Sequence, residues 1–177
     1  CAQLAELDRA GEVNGNSNLP EIKLDRSPIE TARLYTKLGF EHILPAGLDH
    51  LAFVLALILS IRAFKPLLIQ ISLFTLAHSI TLILGVMGII VLQGQWVEVA
   101  IAFSIVFVAL ENIFMRSLKK SRYLIVFSFG LLHGLGFAGA LSDLGVPDEH
   151  FVSALLGFNI GVELGQLTFA SVIFLAL

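Results

Sequence analysis

Five apolar runs, each about as long as a bilayer is thick, constrain this chain more than any other feature. They cover roughly residues 42–62, 66–92, 97–115, 123–142 and 150–177. Crossing the hydrocarbon core takes about 20 apolar residues of helix. Backbone N–H and C=O groups in lipid must be satisfied within their own segment, so runs of this kind predict helices. The breaks between them are "RAFK", "QGQW", "RSLKKSR" and "SDLGVPDEH". Connections this short force antiparallel neighbours. The predicted fold is all-α, a polytopic transmembrane helical bundle of about five spans. Composition agrees, since 14% of residues are charged against about a quarter in soluble domains.

The amino-terminal part differs. Residues 1–38 are ordinary polar sequence and predict an extramembrane, periplasmic segment, with the transmembrane domain over 39–177. "GEVNGNSNLPE" reads as a loop, and "SPIETARLYTKLGFEHIL" as a short amphipathic helix. There Ser27 is the N-cap, Pro28 the first helical residue and Glu30 the capping-box partner. Ile29, Leu34 and Leu38 are expected to rest on the membrane surface. Cys1 is the sole cysteine, so no intrachain disulfide forms. A chain opening on Cys reads as a fragment boundary or a processed terminus, with lipidation as the alternative. "SVIFLAL" ends within an apolar run, so a sixth helix beyond Leu177 is an open expectation.

Basic residues set the orientation. Arg62 and Lys65 lie in the first break and Arg116, Lys119, Lys120 and Arg122 in the third, while the second and fourth have none. The positive-inside rule then puts the first and third breaks in the cytoplasm and the amino terminus outside.

Titratable groups inside such runs cost at least a few kcal/mol by insertion scales, and they mark ion or proton paths when they face a bundle interior. Asp49, His50, His78, His133, Asn159 and Glu163 come from four runs. Counted at 1.5 Å per residue, all fall near the midplane. Spacing adds to this. Asn159, Glu163 and Gln166 lie on one helical stripe, as do Thr75, His78 and Ser79, with Ser72 a turn away. His42 and Asp49 share a face, and Asp49 precedes His50 as a partner for its imidazole. Ser104 and Glu111 share a face of the third run, Glu111 nearer the inner side. A single intramembrane His is most often a hydrogen-bond donor to a neighbouring helix; six polar groups at one depth are harder to read that way. Gly134, Gly136 and Gly139, and Gly157, Gly161 and Gly165, predict close helix packing, which requires no metal.

Imidazoles with carboxylates suit nickel, cobalt, zinc, iron or manganese. No cysteine lies in a span, and Met87 and Met115 fall away from the cluster, which argues against copper(I). The expected metal ligands are Asp49, His50, His78, His133 and Glu163. His42, Ser79, Glu111, Asn159 and Gln166 are secondary or pathway residues. His150 with Asp148 and Glu149 reads first as a solvated acidic loop, and Glu98 beside Trp96 as an interfacial anchor.

Together "HILPAGLDHLAFVLAL", "FTLAHSITL", "VEVAIAFSIVFVALEN", "FGLLHGLGFAG" and "LLGFNIGVELGQ" resemble the HupE/UreJ family of bacterial membrane proteins, in its second subgroup, over about residues 39–170. The family's His followed by Gly-x-Asp-His maps onto His42, Gly47, Asp49 and His50. This chain has His42-Ile43 where hydrogenase-linked members carry His-Pro. The resemblance implies an inner-membrane permease for nickel or cobalt, tied to hydrogenase or urease metal supply and not an enzyme. An intramembrane metalloenzyme with a zinc-type site is the alternative. Haem held by His78 and His133 is a third reading. Expected partners are the bilayer and a divalent transition metal ion (Ni, Co or Zn), with a homo-oligomer left open. No nucleic-acid patch and no nucleotide-binding motif is visible.

Overall fold

A computed structural model describes residues 27–60, 63–92, 94–114 and 120–176. Cys1 and the polar stretch through residue 26, with Arg62, Met115, Arg116 and Lys119, lie outside the described residues. Among the described residues the fold is all helix: α1 (Pro28–Ile43), α2 (Leu48–Ser60), α3 (Phe64–Val86), α4 (Gly94–Phe114), α5 (Ser121–Leu144) and α6 (Phe151–Ala176), with one 3-10 turn (Asp148–His150) before α6. Four helices are long and apolar enough to cross a membrane, and α1 with α2, bent by 69° at their junction, together make a fifth candidate.

That bend departs from the expected unbroken span over 42–62. Pro45 lacks an N–H and cannot continue a helix. Gly47 completes the corner, because a Cβ there would stand 2.5 Å from the His42 carbonyl oxygen. The helix before the corner starts as predicted. The Ser27 N–H donates to Glu30 Oε2 at 2.8 Å, and the Glu30 N–H donates to Ser27 Oγ at 3.3 Å.

α1 does not rest on a membrane surface; it packs along α6, its closest neighbour. Ile29 is exposed, but Leu34 and Leu38 pack into the core. The glycine stripe of α6 is what admits α1. A Cβ at Gly157 would strike the backbone of Ala32, one at Gly161 that of Thr36 and Phe40, and one at Gly165 the side chain of Ile43. The two helices run parallel, since contacts advance together along both. The expected boundary between residues 38 and 39 falls inside α1. Arg33, Lys37 and Glu41 repeat every fourth residue on its exposed face.

A second seam joins α3 and α5, also parallel. Gly130 fits against Phe74 and Ala77, Gly134 against His78 and Thr81, and Gly85 against Ala138. Thr81 Oγ1 donates across it to the Leu131 carbonyl at 2.7 Å. α5 ends on Gly145, whose φ of +78° suits glycine, and whose carbonyl accepts the Tyr35 hydroxyl. Small residues thus bring backbones together where lipid offers no hydrophobic drive for helix association.

Two apolar cores result. One gathers Phe53, Leu57, Ile71, Phe74, Val108 and Val126. The other gathers Tyr35, Ile43, Leu82, Leu141, Phe158 and Val162. Large apolar side chains such as Phe103, Ile113, Phe114 and Val172 remain exposed, as befits a surface against lipid tails.

Candidate functional site

Between the two cores lies a layer of imidazoles. The corner at 44–47 sets His42, in the last turn of α1, beside His50, in the first turn of α2; their ring centres are 5.0 Å apart. The α3–α5 seam brings in the other two. His78 stands 5.4 Å from His50 and 6.4 Å from His42, and His133 stands 5.0 Å from His50. Gly134, next to His133, makes this approach by lying against the His78 backbone. His50, His78 and His133 are each at most 1% exposed.

Hydrogen bonds fix two of the tautomers. The Phe129 carbonyl can only accept, so His133 Nδ1, 2.9 Å away, carries the proton. Asp49 Oδ1 lies 3.1 Å from His50 Nδ1 and does the same there. In both rings the lone pair is left on Nε2, which is buried without a protein partner. His42 Nε2 and both His78 nitrogens are buried and unpartnered as well. Each unmet polar atom in a core costs about 1–3 kcal/mol. Five of them together ask for a ligand or ordered water to meet them.

Aromatic rings enclose it. Phe137 lies 3.8 Å from His42 and stacks on Phe158 at 5.1 Å. Phe74 and Phe53 lie 4.9 and 5.4 Å from His133. Among the described residues no group of three or more His, Cys, Asp or Glu is drawn tightly enough to hold a metal ion as it stands. The rings meet edge to face or tilted, not converged on a common point.

The remaining expected residues divide. The Asp49 side chain is 39% exposed and joins the layer through His50. Glu163 instead accepts a hydrogen bond from Ser72 at 2.6 Å, and Gln166 accepts one from Thr75 at 3.0 Å. Ser79 donates back to the Thr75 carbonyl and Asn159 to that of Leu155. Asn159 Oδ1 and Gln166 Nε2 are buried and unpartnered. Glu111 is in an ion pair with Arg122 at 3.0 Å.

Arg122 is the residue the sequence reading misplaced. Read as a loop charge, it is in fact 2% exposed, in the first turn of α5. Nε donates to Gln70 at 3.2 Å, Nη1 to Glu111 and Asn112 at 3.0 Å each, and Nη2 to Ser60 at 2.8 Å. Gln70 and Asn112 are polar interruptions of apolar runs, and that was the available signal.

A family model described as HupE / UreJ protein matches residues 19–177. The motif blocks carry the resemblance only from residue 39; the match reaches back to take in all of α1. Neither the curated proteins nor the solved structures gave a match. With four spanning helices, a bent fifth candidate and a match over nearly the whole chain, this multi-pass membrane protein belongs to the HupE/UreJ family.

Proposed function

We propose that the chain is a permease carrying a divalent transition metal ion across the bacterial inner membrane, and that the imidazole layer is where the ion dwells. The buried, unpartnered Nε2 lone pairs of His50 and His133 carry this reading. A dehydrated divalent cation is the ligand such lone pairs suit. With metal–nitrogen bonds of about 2.0–2.1 Å, two imidazoles on one tetrahedral ion have ring centres roughly 5 Å apart. The neighbouring pairs here stand 5.0, 5.0 and 5.4 Å apart. A cage left unclosed suits a cargo that must leave again.

His42, His50, His78 and His133 are the cargo ligands in this reading. Asp49 orients His50 and, half-exposed, meets the arriving ion. Glu163 and Gln166, bonded to Ser72 and Thr75, make a polar track between α3 and α6, and Asn159 lies one turn away on the same stripe of α6. Nickel or cobalt is the cargo the family resemblance favours, supplied to hydrogenase or urease; import is likewise proposed from the family resemblance, and the basic breaks favour α1 starting outside.

Uptake of radiolabelled nickel and cobalt by vesicles holding the purified chain tests this, with equilibrium binding measured alongside. His50→Ala and His133→Ala should each lower binding and uptake by about a hundredfold. Asp49→Asn, which removes an orienting partner, should cost about tenfold or more. Uptake by both alanine variants at the unsubstituted rate would end the proposal.

A further inference from the structure

Three helices place the Arg122 network on one side of the imidazole layer. Ser60 is ten residues beyond His50 on α2, Gln70 eight before His78 on α3, and Arg122 eleven before His133 on α5. At 1.5 Å per residue these offsets are about 15, 12 and 16.5 Å. Between layer and network stand two apolar tiers. Phe53, Phe74 and Phe129 form the first, with Phe53 4.8 Å from Phe74 and 6.2 Å from Phe129. Leu57, Ile71 and Val126, all fully buried, form the second.

The opposite side is different. Asp49 is partly exposed, and the charged face of α1 needs water or a polar partner, not lipid. On the α1 side the layer thus borders a partly exposed carboxylate, and on the Arg122 side it borders the two apolar tiers.

We propose that the Arg122 network is the barrier that must part for the ion to leave the layer, a reading that rests on the permease assignment. One guanidinium holds side chains from α2, α3 and α4 to α5, so breaking its bonds frees four helices together. A buried ion pair is a poor device for stability alone, since well-packed apolar residues often do as well or better. It is a good device for a closure that must reopen. Its groups exchange partners with water once separated, whereas an apolar seam has nothing to gain from water.

The test uses the full chain in vesicles with Cys1→Ser and Leu57→Cys, so that the only thiol lies between the aromatic tier and the network. The rate of modification by a charged, membrane-impermeant thiol reagent is read, together with equilibrium cobalt binding. Glu111→Gln removes the charge pairing and keeps the shape. It should raise the modification rate about tenfold and leave cobalt affinity within about twofold. Ser60→Ala, a milder change, should raise the rate less. An unchanged rate in both variants overturns the inference. So does a joint loss of cobalt binding and thermal stability, which would make the network a structural tie. Absence of cobalt uptake by the unsubstituted chain is a separate result, and it overturns the permease assignment.

Discussion

Substitution of Gly134 by alanine is the sharpest test of how the layer is assembled. A Cβ at this position would run into the His78 carbonyl oxygen and Thr81 Oγ1, and would lie 2.9 Å from the His78 carbonyl carbon. Ordinary carbon contacts lie at about 3.5–4.0 Å, so α3 and α5 must separate by roughly an ångström. The obstacle is backbone, which cannot swing aside. The cost therefore falls toward the upper part of the usual overpacking range, about 3 kcal/mol. The gain from replacing a helical glycine offsets about 1 kcal/mol of this, leaving about 2 kcal/mol of net loss. For a chain of this size that corresponds to a melting point lower by roughly 4–8 °C. Gly139, five residues along the same helix, has nothing within 4 Å of a built Cβ. Gly139→Ala should therefore gain about 1 kcal/mol, or roughly 2–4 °C. Thermal unfolding of both variants in one detergent, followed by helical circular dichroism, gives shifts of opposite sign. Gly134→Ala should also bind cobalt less tightly, because His78 and His133 are drawn apart. A Gly134→Ala chain that melts at or above the unsubstituted temperature would refute the close α3–α5 approach.

Other expectations follow from the same contacts. Tyr35→Phe removes the bond to the Gly145 carbonyl and should cost about 0.5–1.5 kcal/mol, seen as a small fall in the melting point. Arg122→Met leaves Glu111 buried and unpaired and should cost about 3–5 kcal/mol. The double variant Arg122→Met with Glu111→Met should recover most of that, and thermal unfolding of the two chains reads the difference. Metal bound by imidazole lone pairs competes with protons. Both His50 and His133 already present the Nε2 lone pair, so cobalt added at neutral pH in weak buffer should release almost no protons from them, and acidification should instead expel bound cobalt, as equilibrium binding followed across pH reads.

Much of the bundle was legible because apolar length and the Ser27 capping box are local properties of sequence. The observed helices begin and end within a few residues of the runs that announced them, apart from the start of α2 and the end of α3. The corner after His42 was missed although "LPAG" spelled it out, since the hydropathy of 42–62 is continuous across it. Counting depth picks out His50, His78 and His133, which do meet; His42, expected as a pathway residue nearer the outside, joins them because the corner folds it back beside His50. Depth gives height and not azimuth, however. Glu163 sits near the right level, yet it bonds to Ser72. Arg122 was lost to a boundary. Placing the helix start at 123 made it a loop charge, and a shift of two residues makes it the hub of a buried network. The glycines of α6 announced a close neighbour without naming it. That α1 fills the role depends on contacts more than a hundred residues apart, which no local pattern encodes.

The corner between α1 and α2 has a mechanical consequence. His42 travels with α6 through the glycine seam, while His50 begins the arm that reaches α4 and the guanidinium. In the proposed permease, an ion held by both rings would be a rivet through a hinge: its preferred bond angles would set the angle of the joint, and its departure would free the two arms.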